Sequence, residues 1–162
     1  MTLLPLVLPF AVLTLCAVHD VTSFKIPNRY VAVLLAGWPV LVLTTGVGFA
    51  EAGLSAAIGG VVLLVGFALF AFRLLGAGDV KLLAATSLWV APAQMTAFVL
   101  FTAVLGGLLG LFLMIFRARP MPVFAYGAPW LVQLHERARA MPYGVAIAGG
   151  AMIALARGVG AG

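Results

Sequence analysis

Charge is what this sequence has least of: four acids and nine bases are 8% of 162 residues, against a hydrophobic share of 65%. A water-soluble domain carries charge on about a quarter of its residues. The surface needed for solvation is missing, which excludes a soluble globular fold. Cysteine is nearly absent as well. Cys16 alone supplies neither a disulfide nor a metal framework and reads as an inert buried thiol. The opening MTLLPLVLPF lacks the basic n-region of a secretory signal, so residues 1–18 are expected to be a retained first helix with its N-terminus outside. Internal repeats and low-complexity tracts do not stand out.

What the chain does have is a set of long intervals without charge: residues 1–18, 30–50, 52–72, 82–116 and 140–156. A membrane-spanning helix needs about 20 apolar residues, and most of these intervals hold one span each. Residues 82–116 would rise about 52 Å at 1.5 Å per residue, well beyond a hydrocarbon core of about 30 Å. Pro92 interrupts them, which divides the interval into one short and one long helix. The expected fold is therefore an all-α, polytopic integral membrane protein with about six transmembrane helices. Trp130, Leu131, Leu134, Ala138 and Met141 recur near helical spacing among His135, Glu136, Arg137 and Arg139, and add a short interfacial helix.

With six spans, Lys25, Arg29, Arg73, Lys81, Arg117, Arg119, Arg137 and Arg139 all fall on one side, leaving Arg157 as the exception. Basic short loops stay in the cytoplasm, which makes that side cytoplasmic and puts Glu51 outside. A sequence pI near 10.2 would suggest nucleic acid for a soluble protein. Here the bases border the membrane, so anionic lipid headgroups are the expected partners and nucleic acid is set aside.

The acids carry the functional signal, because an ionised group near hydrocarbon is expensive and tends to be functional. Asp20 closes the first helix, followed by Val21-Thr22-Ser23-Phe24-Lys25-Ile26-Pro27-Asn28. Asp79 opens the fourth within Gly76-Ala77-Gly78-Asp79-Val80-Lys81-Leu82. Each has a plain structural account. A glycine would end helix three in a left-handed conformation and Asp79 would cap helix four. Pro27 would fix the entry to helix two, and Lys25 and Lys81 would snorkel. His19 reads as an interfacial histidine without a ligand role, and Gly106 with Gly110 as a close-packing pair. What exceeds these accounts is two acids at one membrane face in a chain with so few. Two neighbouring carboxylates do not both ionise easily, so one holds a proton while the other acts as base. That is equipment for activating water against a peptide bond.

On the residues Asp20 with Ile26-Pro27-Asn28, and Gly76-Ala77-Gly78-Asp79-Val80-Lys81-Leu82, the chain resembles the type IV prepilin peptidases, GxGD-class membrane aspartyl proteases. The six-span layout extends the likeness over nearly the whole chain. Met141-Pro142-Tyr143-Gly144-Val145-Ala146-Ile147-Ala148 also looks like the closing segment of the small CpaA-like or TadV-like subgroup that serves Flp pili. The resemblance implies a single transmembrane peptidase domain over residues 1–162 in the bacterial cytoplasmic membrane. Asp20 and Asp79 would be catalytic, with Gly76, Gly78, Lys81, Ile26, Pro27 and Asn28 shaping the site. It implies no metal and no cofactor. The substrate would be a prepilin or pseudopilin with a basic N-terminal leader and a hydrophobic helix, cut at their junction on the cytoplasmic face. The larger members carry paired cysteines in a cytoplasmic insert, which this chain lacks, so their N-methyltransferase activity is not expected here. Two other classes stay open on the residues alone. A proton- or cation-coupled transporter also uses paired acids, though near the bilayer midplane, and a non-catalytic assembly protein would need neither acid.

Overall fold

The computed structural model describes residues 4–121, 126–136 and 141–160. These form seven α-helices and no strand: α1 (Leu4–Ser23), α2 (Asn28–Thr45), α3 (Phe49–Ala71), α4 (Ala77–Ser87), α5 (Met95–Ala118), α6 (Pro129–Glu136) and α7 (Tyr143–Gly160). Four helical stretches are long and apolar enough to cross a membrane: Leu6–Ser23, Asn28–Thr45, Phe49–Ala71 and Pro92–Ala118. Tyr143–Gly158 is a shorter apolar helix. The chain is thus an all-α, multi-pass membrane protein.

All six expected segments are helical, but α4 has only 11 residues and rises about 16 Å, half the thickness of the hydrocarbon. Its end is fixed by side chains. Ser87 Oγ donates back to the Ala84 carbonyl at 2.8 Å, and Trp89 Nε1 donates across to the Leu34 carbonyl of α2 at 3.0 Å. Pro92 then opens a 3-10 turn, Pro92–Gln94, leading into α5.

The core draws Leu13 from α1, Leu34 from α2, Leu82 from α4, Phe98 from α5 and Ile147 from α7, each fully buried. The first helix is therefore a member of the packed bundle. By contrast α3 buries only small residues, Ala52, Ser55, Gly59 and Gly66. Lipid offers no hydrophobic drive between helices, so contact there depends on close approach of backbones. Accordingly Gly59 lies under Leu88 and Gly66 under Val80. The same device joins α5 to α7: Gly106 faces the Tyr143 ring, Gly110 faces Met141, and Gly150 lies against Thr102. This pairing makes α5 and α7 antiparallel and sets the start of α7 beside the middle of α5.

The interfacial helix is present as α6. Arg117 Nε donates to the Leu134 carbonyl at 2.9 Å, and His135 meets the Phe116 ring edge-on at 5.1 Å. Its expected continuation through Ala138, with Arg137 and Arg139, lies outside the described residues. Arg157, the base that departs from the charge pattern, lies over the Phe101 ring at 5.6 Å, a favourable cation–π placement.

Candidate active site

α1 and α3 end in the same unusual way. Among the described residues, Phe24 (φ 53°) and Arg73 (φ 60°) are the non-glycine residues with positive φ, a conformation that costs about 1–2 kcal/mol for a residue with a Cβ. Both turns lie at one end of the bundle and both residues line one cavity of about 1060 Å³. The remaining walls come from the start of α2, the start of α4 and the entry to α7.

Every residue expected from the resemblance to form the site reaches this cavity: Asp20, Ile26, Pro27, Asn28, Gly76, Gly78, Asp79 and Lys81 all line it. Pro27 stands in extended geometry immediately before α2. Ile26 packs on the core and meets the face of Gly78. Lys81 Nζ donates to Asn28 Oδ1 at 3.4 Å, so α4 and α2 are bridged by polar atoms at the cavity edge. His19 also lines the cavity, with its ring nitrogen 3.3 Å from Ser23 Oγ and its ring 5.6 Å from that of Tyr30.

One local expectation is corrected. The left-handed residue after α3 is Arg73, not a glycine, and Gly76 is extended (φ −76°, ψ 147°) as the residue preceding α4. Asp79 accordingly lies inside the first turn of α4 rather than capping it from outside. Its carboxylate accepts the backbone N–H of Gly76, the return bond of a capping box. A Cβ on Gly76 would come within 2.8 Å of Asp79 Oδ2. Glycine is needed there because the aspartate folds back onto it.

Asp20 is held in a parallel manner from an unexpected direction. It is 5% exposed, and its Oδ2 accepts the backbone N–H of Gly144, in the first turn of α7, at 2.7 Å. The free N–H groups and dipole of a helix start favour a negative group. A Cβ at Gly144 would lie 2.8 Å from Oδ2 and 3.2 Å from Cγ of Asp20. Tyr143 and Gly144 had no chemical part that the order of residues alone could assign. Tyr143 lines the cavity and is close enough to Asp79 to interact electrostatically. The signals for them were the likeness of residues 141–148 to the closing segment of the small subgroup and the Pro142 that opens this apolar run.

Asp20 and Asp79 are themselves within electrostatic reach of each other. Two carboxylates from separate helices, each seated on a glycine N–H, thus share one cavity at a bundle end. Among the described residues no group of three or more His, Cys, Asp and Glu side chains is arranged to hold a metal. A multi-pass helical membrane protein with this pair has the outline of an intramembrane hydrolase. The model of the type IV leader peptidase family matches residues 7–111, a stretch that contains both aspartates. The chain belongs to that family and is a peptidase of the leader-peptidase kind. No curated protein and no solved structure matches the chain. The family match stops before α6 and α7, so the Gly144 support for Asp20 lies outside it.

Proposed function

We propose that this protein is an aspartic endopeptidase that removes the basic leader from type IV or Flp prepilins at the cytoplasmic face of the bacterial inner membrane. The observation that carries this reading is the shared cavity of Asp20 and Asp79, each carboxylate bound to a backbone N–H from a helix start. In the reaction one aspartate takes a proton from water while the other gives a proton to the scissile carbonyl oxygen. The new C–O bond forms a tetrahedral intermediate. On its collapse the C–N bond breaks, and the aspartate that took the water proton gives it to the departing amine. The other aspartate takes a proton back from a hydroxyl of the intermediate as the carboxyl product forms, which restores the pair. No covalent enzyme intermediate is required.

Orientation rests on the bases. Lys25, Arg73 and Lys81 line the same cavity as the aspartates, and basic loops are retained in the cytoplasm. The leader of a membrane-anchored precursor would then meet the dyad without crossing the bilayer. Co-expression with a candidate prepilin tests the assignment, with leader removal read by mass spectrometry. Cleavage by the wild type and its loss in both Asp20→Asn and Asp79→Asn is the expected result. Wild-type-like cleavage in both variants would remove the chemical basis of the proposal.

A further inference from the structure

α2 and α3 each pack on α4 but scarcely touch one another. Between them lies a second, smaller hollow of about 370 Å³. Its walls are Ala32 and Leu35 of α2 and Leu63 of α3, and its floor is Ala84 and Ala85 of α4. Leu35 and Leu63 are 48% and 46% exposed, so the hollow opens outward at the depth of the apolar spans. Along α2 it runs from Asn28 to Leu35, about 10 Å or two helical turns.

This hollow meets the active-site cavity at one point. Asn28 and Lys81 line both, and their side chains touch at that junction. On the side of α1 and α7 the aspartates are backed by packed helices, since α1 lies on α2 and α7, and α7 lies on α4 and α5. Through the shared Asn28 and Lys81 the cavity borders a hollow that continues along the apolar length of α2 and α3.

We propose that the α2–α3 groove seats the first turns of the substrate's apolar helix, which passes the Asn28–Lys81 junction as its leader boundary enters the dyad. The inference rests on the leader-peptidase reading of the site. A precursor cut where its polar leader meets its membrane helix must keep that helix in hydrocarbon while the scissile bond reaches Asp20 and Asp79. Backbone at membrane depth must stay hydrogen-bonded, so the segment leaving the cavity is helical from its first turns. The alanine floor suits such an occupant, because small residues let a helix backbone approach closely. Polar groups at only one end fix its direction, with the apolar body lying away from Lys81.

The test combines cross-linking with kinetics on the full chain in membranes, using a prepilin that the wild type cleaves. Leu35→Cys and Leu63→Cys, each in an Asp79→Asn background that retains uncleaved substrate, are oxidised against single cysteines in the first two turns of the substrate's apolar helix. Both should cross-link, and Ala103→Cys on the far helix α5 should not. Ala32→Phe, which fills the groove from an exposed position, should raise at least tenfold the ratio of KM for whole prepilin to KM for a soluble peptide spanning the junction. Ala103→Phe should leave that ratio unchanged. Equal cross-linking from Ala103→Cys, an unchanged ratio in Ala32→Phe, or labelling of Leu35→Cys and Leu63→Cys by a photoreactive phospholipid that substrate does not displace would each overturn the groove. If the wild type cleaves and these results fail, only the groove is lost. If it cleaves no prepilin, the peptidase assignment falls and the groove with it.

Discussion

Gly144→Ala places one methyl group where the structure leaves no room for it. The new Cβ would lie 2.8 Å from Asp20 Oδ2 and 3.2 Å from its Cβ and Cγ. Carbon and oxygen in ordinary contact stand about 3.5 Å apart, so the carboxylate must retreat by roughly half an ångström or rotate away. Retreat stretches the 2.7 Å bond from the Gly144 N–H to the edge of the hydrogen-bond range and rotation breaks it, and a hydrogen bond to a charged group contributes about 1.5–3 kcal/mol. Displacement of a reacting group by about 1 Å costs on the order of 10²-fold in rate. A fall in kcat of about 10- to 100-fold is therefore expected, with KM changed much less. Gly149→Ala on the same helix is the comparison: its Cβ would meet only Leu105 Cδ1, the end of a flexible side chain that can move aside. Turnover of purified variants in detergent or nanodiscs, with thermal unfolding measured in parallel, separates the two effects. Wild-type turnover in Gly144→Ala at unchanged KM would refute the claim that α7 positions Asp20.

Asp20→Asn and Asp79→Asn should each reduce leader cleavage by at least about 10²-fold while membrane insertion stays near normal, because an amide oxygen still accepts the glycine N–H. Glu51→Gln, an exposed acid in the first turn of α3, should cleave normally in the same mass-spectrometric assay. Single cysteines at Ser23 and Ala118 should resist an impermeant thiol reagent in intact cells, and labelling of both from outside would reverse the orientation; Cys16 is buried and adds no background. Purified enzyme should cleave without methylating the new N-terminus, since the chain has a single cysteine; a methyl mass gain dependent on S-adenosylmethionine and this enzyme alone would contradict that.

Much of this protein was legible in the order of its residues. Uncharged intervals of spanning length announce helices in lipid, because a backbone in hydrocarbon must satisfy its own hydrogen bonds. Acids that survive in such a chain stand out, and Asp20 and Asp79 were found for that reason, together with the Ile26-Pro27-Asn28 and Gly76-to-Lys81 segments beside them. Periodicity and composition stop short where a partner comes from a distant segment. Nothing local to Asp20 announces that the Gly144 N–H, at the start of the last helix, holds its carboxylate. Nothing local to Gly66 or Gly106 says that Val80 or Tyr143 fills the space above it. The left-handed turn after α3 fell on Arg73 rather than a glycine. The bonds from Arg73 N–H to the Phe70 carbonyl at 2.8 Å and from Leu74 N–H to the Leu69 carbonyl at 2.9 Å close the helix end as a Schellman turn, offsetting a local penalty of about 1–2 kcal/mol. The sequence by itself determined the membrane class, the helices and the two acids, all of which follow from composition and spacing. Tertiary structure alone decided that the acids share one cavity, that each rests on a glycine N–H, and that α2 and α3 stand apart over an alanine floor, because these depend on close approach of backbones far apart in the chain.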